Sequence, residues 1–199
     1  MTKILKILFF FITLSSIAQS EKENTVEISG IVYSSVNNKP LSDVIVSFDS
    51  RSRGASTGEN GEFKYVYNLR SGDSIERIET VAMGYKPLDT IINVNRGKNI
   101  NLNIILKPHR GINRLQALDH IKIGKINLLL SGGIAPVVYQ SDEKFSKKYN
   151  LNFVEFGCEA VPEESLYEYN KTVFEYLDKK YGKNWRKEIR KDVVGLKNK

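Results

Sequence analysis

Between Val26 and Leu106 the chain is cut into short runs in which every second residue is apolar, each closed by a turn signal after roughly ten residues. A run with that period buries one side of an extended backbone and wets the other, so it is satisfied by pairing into sheets that lay their apolar sides together. The period is clearest in Val44, Val46 and Phe48, in Phe63, Tyr65 and Tyr67, and in Ile100, Leu102, Ile104 and Leu106. Seven strand segments are expected: 26–33, 43–48, 54–57, 62–67, 74–82, 88–94 and 100–106. Asn37-Asn38-Lys39-Pro40, Glu59-Asn60-Gly61, Ser71-Gly72-Asp73 and Asn95-Arg96-Gly97 supply turns, because Gly and Asn tolerate positive φ. Residues 25–108 are thus expected to form a small β-sandwich.

Four motifs in that stretch carry a resemblance. Gly30-Ile31-Val32, then Lys39-Pro40-Leu41-Ser42-Asp43-Val44-Ile45-Val46, then Ala55 to Phe63, and finally Ala82-Met83-Gly84-Tyr85 stand in the order found in the carboxypeptidase regulatory-like domain. The segment resembles that family, which implies a seven-stranded, transthyretin- or Ig-like sandwich. Such domains are accessory modules of exported enzymes and of outer-membrane receptors in Gram-negative bacteria. Gly58 departs from the family's frequent Asp, which removes a side-chain cap from that turn. Each matching position has a structural role. Asn60-Gly61 suits a two-residue hairpin turn, Phe63 faces the core, and Gly84-Tyr85 bends the chain before an aromatic plug. The resemblance implies no peptidase. A catalytic zinc needs imidazole and carboxylate ligands with an open position, and the only histidines, His109 and His120, lack a Glu three or four residues on. No metal and no cofactor is expected.

Residues 1–20 have a basic start, an apolar run from Ile7 to Leu14 and small residues near Ala18, the make-up of a secretory signal peptide. The apolar stretch is too short to span hydrocarbon, and no later segment approaches that length, so no mature transmembrane span is expected. The location expected is export to the periplasm or an association with the outer membrane. Of 30 Lys and Arg against 23 Asp and Glu, a net of +7, Lys3 and Lys6 leave with the leader. The remaining excess of five falls in residues 182–199, which hold seven basic and two acidic groups; residues 21–181 are formally neutral.

Pro108, followed by His109-Arg110-Gly111, marks a boundary, and residues 109–199 read as a small α+β unit ending in two helices. The fold class expected for the whole is α+β. Ile112 to Asp119 and Asp142 to Lys148 read as helical, and Lys125 to Leu130, Ile134 to Tyr139 and Leu151 to Phe156 read as strands. Leu166, Tyr169, Val173, Leu177 and Tyr181 recur at helical spacing, with Ser165 and Glu168 as a capping box and Gly182 as a stop. Trp185, Ile189 and Val193 predict a second amphipathic helix with a basic opposite side. Parts of this unit resemble C-terminal regions of small exported bacterial proteins of unknown function, which implies no activity.

The lone Cys158 excludes an intrachain disulfide framework. Its aromatic surroundings, Asn152 to Gly157, favour a small buried hydrophobe; an intermolecular disulfide and a reactive thiol are the alternatives. Ser131-Gly132-Gly133 lacks the Gly-x-Ser-x-Gly elbow and reads as a turn, and no phosphate-binding glycine loop occurs. Asn170-Lys171-Thr172 is a formal glycosylation acceptor placed in mid-helix. The function expected is therefore that of a non-catalytic envelope protein whose sandwich docks or spaces and whose C-terminal unit binds an envelope protein or an anionic surface, with peripheral membrane contact through Trp185, Arg186, Lys187, Arg190 and Lys191. A small thiol-dependent enzyme or redox protein using Cys158 is the alternative. Nucleic acid is not expected as a partner, given the exported location and the lack of a reader motif.

Overall fold

The computed structural model describes residues 25–48, 53–69, 72, 74–135 and 137–196. The leader expected at 1–20 and most of the Ser71-Gly72-Asp73 turn lie outside the described residues. The chain divides into two compact units. One comprises the described residues up to Tyr33, with Pro40–Val81 and Pro87–Ile105; the other comprises Leu106 onward with Ser34–Lys39 and Ala82–Lys86.

The first unit is built from two four-stranded sheets. In one, β1 (Thr25–Ser34) lies antiparallel to β4 (Glu62–Asn68), from Thr25 opposite Asn68 to Ile31 opposite Glu62, and parallel to β7 (Asn99–Asn101). β8 (Ile104–Leu106) also pairs with β1. The other sheet runs β3 (Arg53–Ser56), β2 (Ile45–Phe48), β5 (Ile75–Val81), β6 (Asp89–Asn93), all antiparallel. Strict alternation places Val26, Ile28 and Val32 of β1 and Val46, Phe48 and Ile78 of the second sheet inside. Phe48 joins the two sheets, its ring stacked on Tyr65 at 4.7 Å and tilted against Phe63 at 6.5 Å.

The expected seventh strand is broken in two, so eight strands stand in these sheets among the described residues. The break has a local cause. Leu102 N–H donates to Ser29 O at 2.8 Å, the Asn103 side chain accepts from Ile31 N–H at 3.1 Å, and the Leu102 carbonyl crosses Gly30 so closely that a Cβ there would lie 1.9 Å from its oxygen. Gly30 is the residue that lets the backbones pass. The expected two-residue hairpin at Asn60-Gly61 is also different: Gly61 N–H donates to Gly58 O at 2.9 Å, and the turn carries the chain from β3 in one sheet to β4 in the other. Thr57 fixes its approach, donating to Leu41 O at 2.7 Å and accepting from Val44 N–H at 2.9 Å.

In the second unit α1 (Arg114–Lys122), β9 (Asn127–Leu129), α2 (Ser141–Tyr149), β10 (Asn152–Val154), α3 (Glu163–Tyr181) and α4 (Trp185–Glu188) follow in order. β9 and β10 pair in parallel, Asn127 opposite Asn152. α3 is the spine: Leu166, Tyr169, Val173, Phe174 and Leu177 enter a core with Leu128, Leu130, Phe145 and Trp185. Asn170 sits in that core, accepting from Leu129 N–H at 2.8 Å and donating to Leu129 O at 2.7 Å and Val194 O at 2.9 Å. It bridges backbone segments that would otherwise hold unpaired buried groups, and its burial rules out the formal glycosylation reading.

The whole is of mixed α+β class, and the second unit departs from expectation at three further places. The described residues among 134–139 form no strand. α3 begins two residues before Ser165, which is buried, so the capping box does not form; Glu163 and Glu164 occupy the first turn, where the helix dipole favours acids. The last helix ends at Glu188: Ile189 is extended, and Val193 forms an antiparallel bridge with Leu130.

Candidate functional site

The basic terminal segment was expected to present a charged surface, but its guanidinium groups turn inward. Arg190, whose side chain is 4% exposed, donates to both carboxylate oxygens of Asp192 at 2.7 Å, to Asp142 Oδ2 at 2.8 Å and to the Val137 carbonyl at 2.9 Å. The plane also covers the Tyr139 ring at 4.7 Å and Phe153 at 5.5 Å. A planar fork with several donors suits this position in a way an ammonium does not. The pairing with Asp192 holds the Arg190 pKa above, and the Asp192 pKa below, its ordinary value. Asp142 also accepts from Tyr139 N–H at 3.1 Å, so the chain entering α2 is fixed at both its carbonyl and its amide side.

Beside this anchor stands an apolar segment whose aliphatic side chains stand largely uncovered among the described residues. Ile134 is 95% and Val138 82% exposed, with Val137 and Tyr139 about half exposed. Aliphatic side chains this exposed and this close in sequence differ from the scattered surface apolar residues of ordinary domains. The β-like sequence of the segment finds no partner strand among the described residues.

A second feature lies elsewhere in the same unit. Tyr85 and Pro108 form an antiparallel bridge, with Lys86 N–H donating to Lys107 O at 2.8 Å and His109 N–H to Gly84 O at 3.0 Å. This register sets Lys86 opposite Lys107. Both line an open cleft of about 490 Å³ together with His109, Arg110, Arg114 and Glu168. Arg110 is paired with Glu159. Among the described residues no ion pair reaches Lys86, Lys107 or Arg114.

Of the residues singled out in the sequence, Trp185 is fully buried and donates from its indole nitrogen to Asp178 Oδ1 at 3.0 Å. Arg186 binds both Asp178 oxygens at 3.0 Å and stacks on Trp185 and Phe174. Lys187 and Lys191 are exposed. The five are therefore not one surface: two are exposed lysines, and Trp185, Arg186 and Arg190 bind their own unit. Cys158 is exposed, against the expectation of a buried thiol, because Gly157 takes a positive φ of 57° and the aromatic strand gives way to a turn there. His120 contacts the Tyr169 hydroxyl through Nδ1 at 2.7 Å, and burial pushes the Tyr169 pKa up to about 12. Among the described residues no cluster of three metal-ligating side chains occurs, and no helix is long and apolar enough to cross a membrane.

The four motifs all fall within a single family match. Residues 28–114 match the CarboxypepD_reg-like domain. This segment is a CarboxypepD_reg-like domain. No curated protein matches the sequence. Among solved structures, similar ones include the dioxygenase domain of a dioxygenase and carbohydrate-binding protein fusion from Streptomyces sp. SirexAA-E, at 17% identity and TM-score 0.34 over 42% of this chain and 80% of that one. A catechol 1,2-dioxygenase variant from Acinetobacter radioresistens matches at 15% identity and TM-score 0.38, over 47% of this chain and 55% of that one. A minor pilin from Streptococcus agalactiae matches at 15% identity and TM-score 0.35, over 44% and 46%. The chain spans four fifths of the first of these proteins and about half of each of the other two. The match ends at residue 114, where α1 begins.

Proposed function

We propose that the chain is a non-catalytic exported protein of the cell envelope, periplasmic or associated with the outer membrane of a Gram-negative cell. In this reading the CarboxypepD_reg-like domain is a transthyretin-like docking or spacing module, and the second unit binds a protein partner. What supports it is the set of exposed aliphatic side chains Ile134, Val137 and Val138, beside the buried Arg190 anchor. An apolar segment held in place loses little conformational entropy on binding, which favours recognition. Lys187 and Lys191 are the exposed part of the basic terminus available to an acidic partner or an anionic surface.

The test compares the folded chain with an Ile134→Ser/Val138→Ser variant of unchanged melting temperature, each used to capture partners from envelope extracts. A protein retained by the parent and lost with the variant supports the reading. Identical capture by both, or none by either, contradicts it.

A further inference from the structure

We propose that the cleft lined by Lys86, Lys107 and Arg114 is a binding site for a phosphate monoester, independently of the protein-partner reading above. The bridge of Tyr85 with Pro108 places Lys86 and Lys107 directly opposite each other on one side of two antiparallel segments. Like charges so placed repel, and no carboxylate pairs with either among the described residues. Arg114 is the first residue of α1, whose first turn contains no acid, so this cation stands at the positive end of the helix dipole. Two separate elements thus bring unfavourable positive charge to one cleft, and an anion there relieves both.

The charge balance selects the class of anion. Glu159 takes up the charge of Arg110, and Glu168, the one acid among the described lining residues, offsets one of the three remaining cations. Two positive charges are left over. A carboxylate supplies one negative charge, whereas a phosphate monoester carries roughly −1.5 to −2 near neutral pH. Val36 and Leu115, the latter 68% exposed, give the same cleft an apolar wall for the organic part of such a ligand. The phosphate can arrive on a small soluble molecule or on a lipid headgroup.

The experiment titrates the full chain with phenyl phosphate by calorimetry, with benzoate as the single-charge comparison. In parallel it measures cosedimentation with phosphatidylcholine vesicles containing phosphatidic acid. Phenyl phosphate is expected to bind more tightly than benzoate, and Lys86→Glu/Lys107→Glu to weaken it by about tenfold or more. A control, Lys98→Glu/Lys144→Glu, makes the same change in net charge outside the cleft and is expected to leave binding within about twofold. Arg114→Gln, at an exposed position, provides the comparison if the double variant does not fold. Vesicle binding without phenyl phosphate binding assigns the site to a lipid headgroup, and the reverse assigns it to a soluble ligand, provided the cleft variant abolishes the binding seen. Binding of neither, or equal weakening by the cleft and control variants, overturns the proposal.

Discussion

Tyr85 donates its hydroxyl proton to the Glu164 carboxylate, 79 residues further along the chain, and accepts from the Ser34 hydroxyl at 2.9 Å. The aromatic plug expected from the sequence is thus also a polar tie between the Ala82–Lys86 segment and the first turn of α3. Burial, reinforced by the bond to Glu164, drives the phenol pKa upward. The neutral form is the one the fold favours, so its contribution is complete below the ordinary tyrosine value of 10.0 and is lost as pH rises through the higher folded value. Tyr85→Phe is expected to lower stability at neutral pH by about 1 kcal/mol in urea unfolding. It should also remove one late-titrating phenol from the alkaline absorbance titration.

Asn170 should be among the most sensitive positions in the second unit. Asn170→Leu keeps the volume but leaves Leu129 N–H, Leu129 O and Val194 O without their buried partner. A loss of about 3 kcal/mol is expected. Hydrogen exchange should locate the damage, with the Leu129 amide losing protection first.

The sheets were legible because their strands bury one face: Val26, Ile28 and Val32, or Val46 and Phe48, announce a period of two that the fold uses directly. The terminal segment was misread for a definable reason. Trp185, Ile189 and Val193 are all buried, but a spacing of four fits a helix face and one side of an extended chain equally well. The chain uses one turn of helix and then extends to reach Leu130. Ile134 to Tyr139 has strand composition, but among the described residues no strand pairs with it, and β propensity is decided by that neighbour. The cleft was invisible because Lys86, Lys107 and Arg114 belong to separate segments of a body that is formally neutral; segment charge says nothing about which cations the fold gathers.

Asp178 offers an acid-side test. The Arg186 guanidinium, in contact with both its oxygens, holds its carboxyl below the ordinary value of 3.8. A depressed folded pKa means that the contribution is whole above the unfolded value and disappears as pH falls through the folded one; Arg186 stays charged throughout. The parent chain should therefore lose more melting temperature between pH 7 and pH 3 than Asp178→Asn does. Scanning calorimetry at both pH values checks it, and equal losses would contradict the assignment.

Cys158 should label in the folded protein within a few-fold of its rate in denaturant, because it stands exposed in a turn. Ellman's reagent at neutral pH provides the measurement. Since exposure alone gives fast labelling, speed does not separate thiol chemistry from a bystander thiol. A Cys158→Ser variant separates them, and it is expected to keep its partner capture.

Photocrosslinking in intact cells that express the chain asks whether the second unit binds a protein partner through its exposed aliphatic segment. A benzophenone side chain replaces Val138 in one strain and Lys98 in another, and adducts are resolved by mass. A discrete protein adduct from position 138, with none of that mass from position 98, is expected. No protein adduct from 138, or the same adducts from both positions, would contradict that binding.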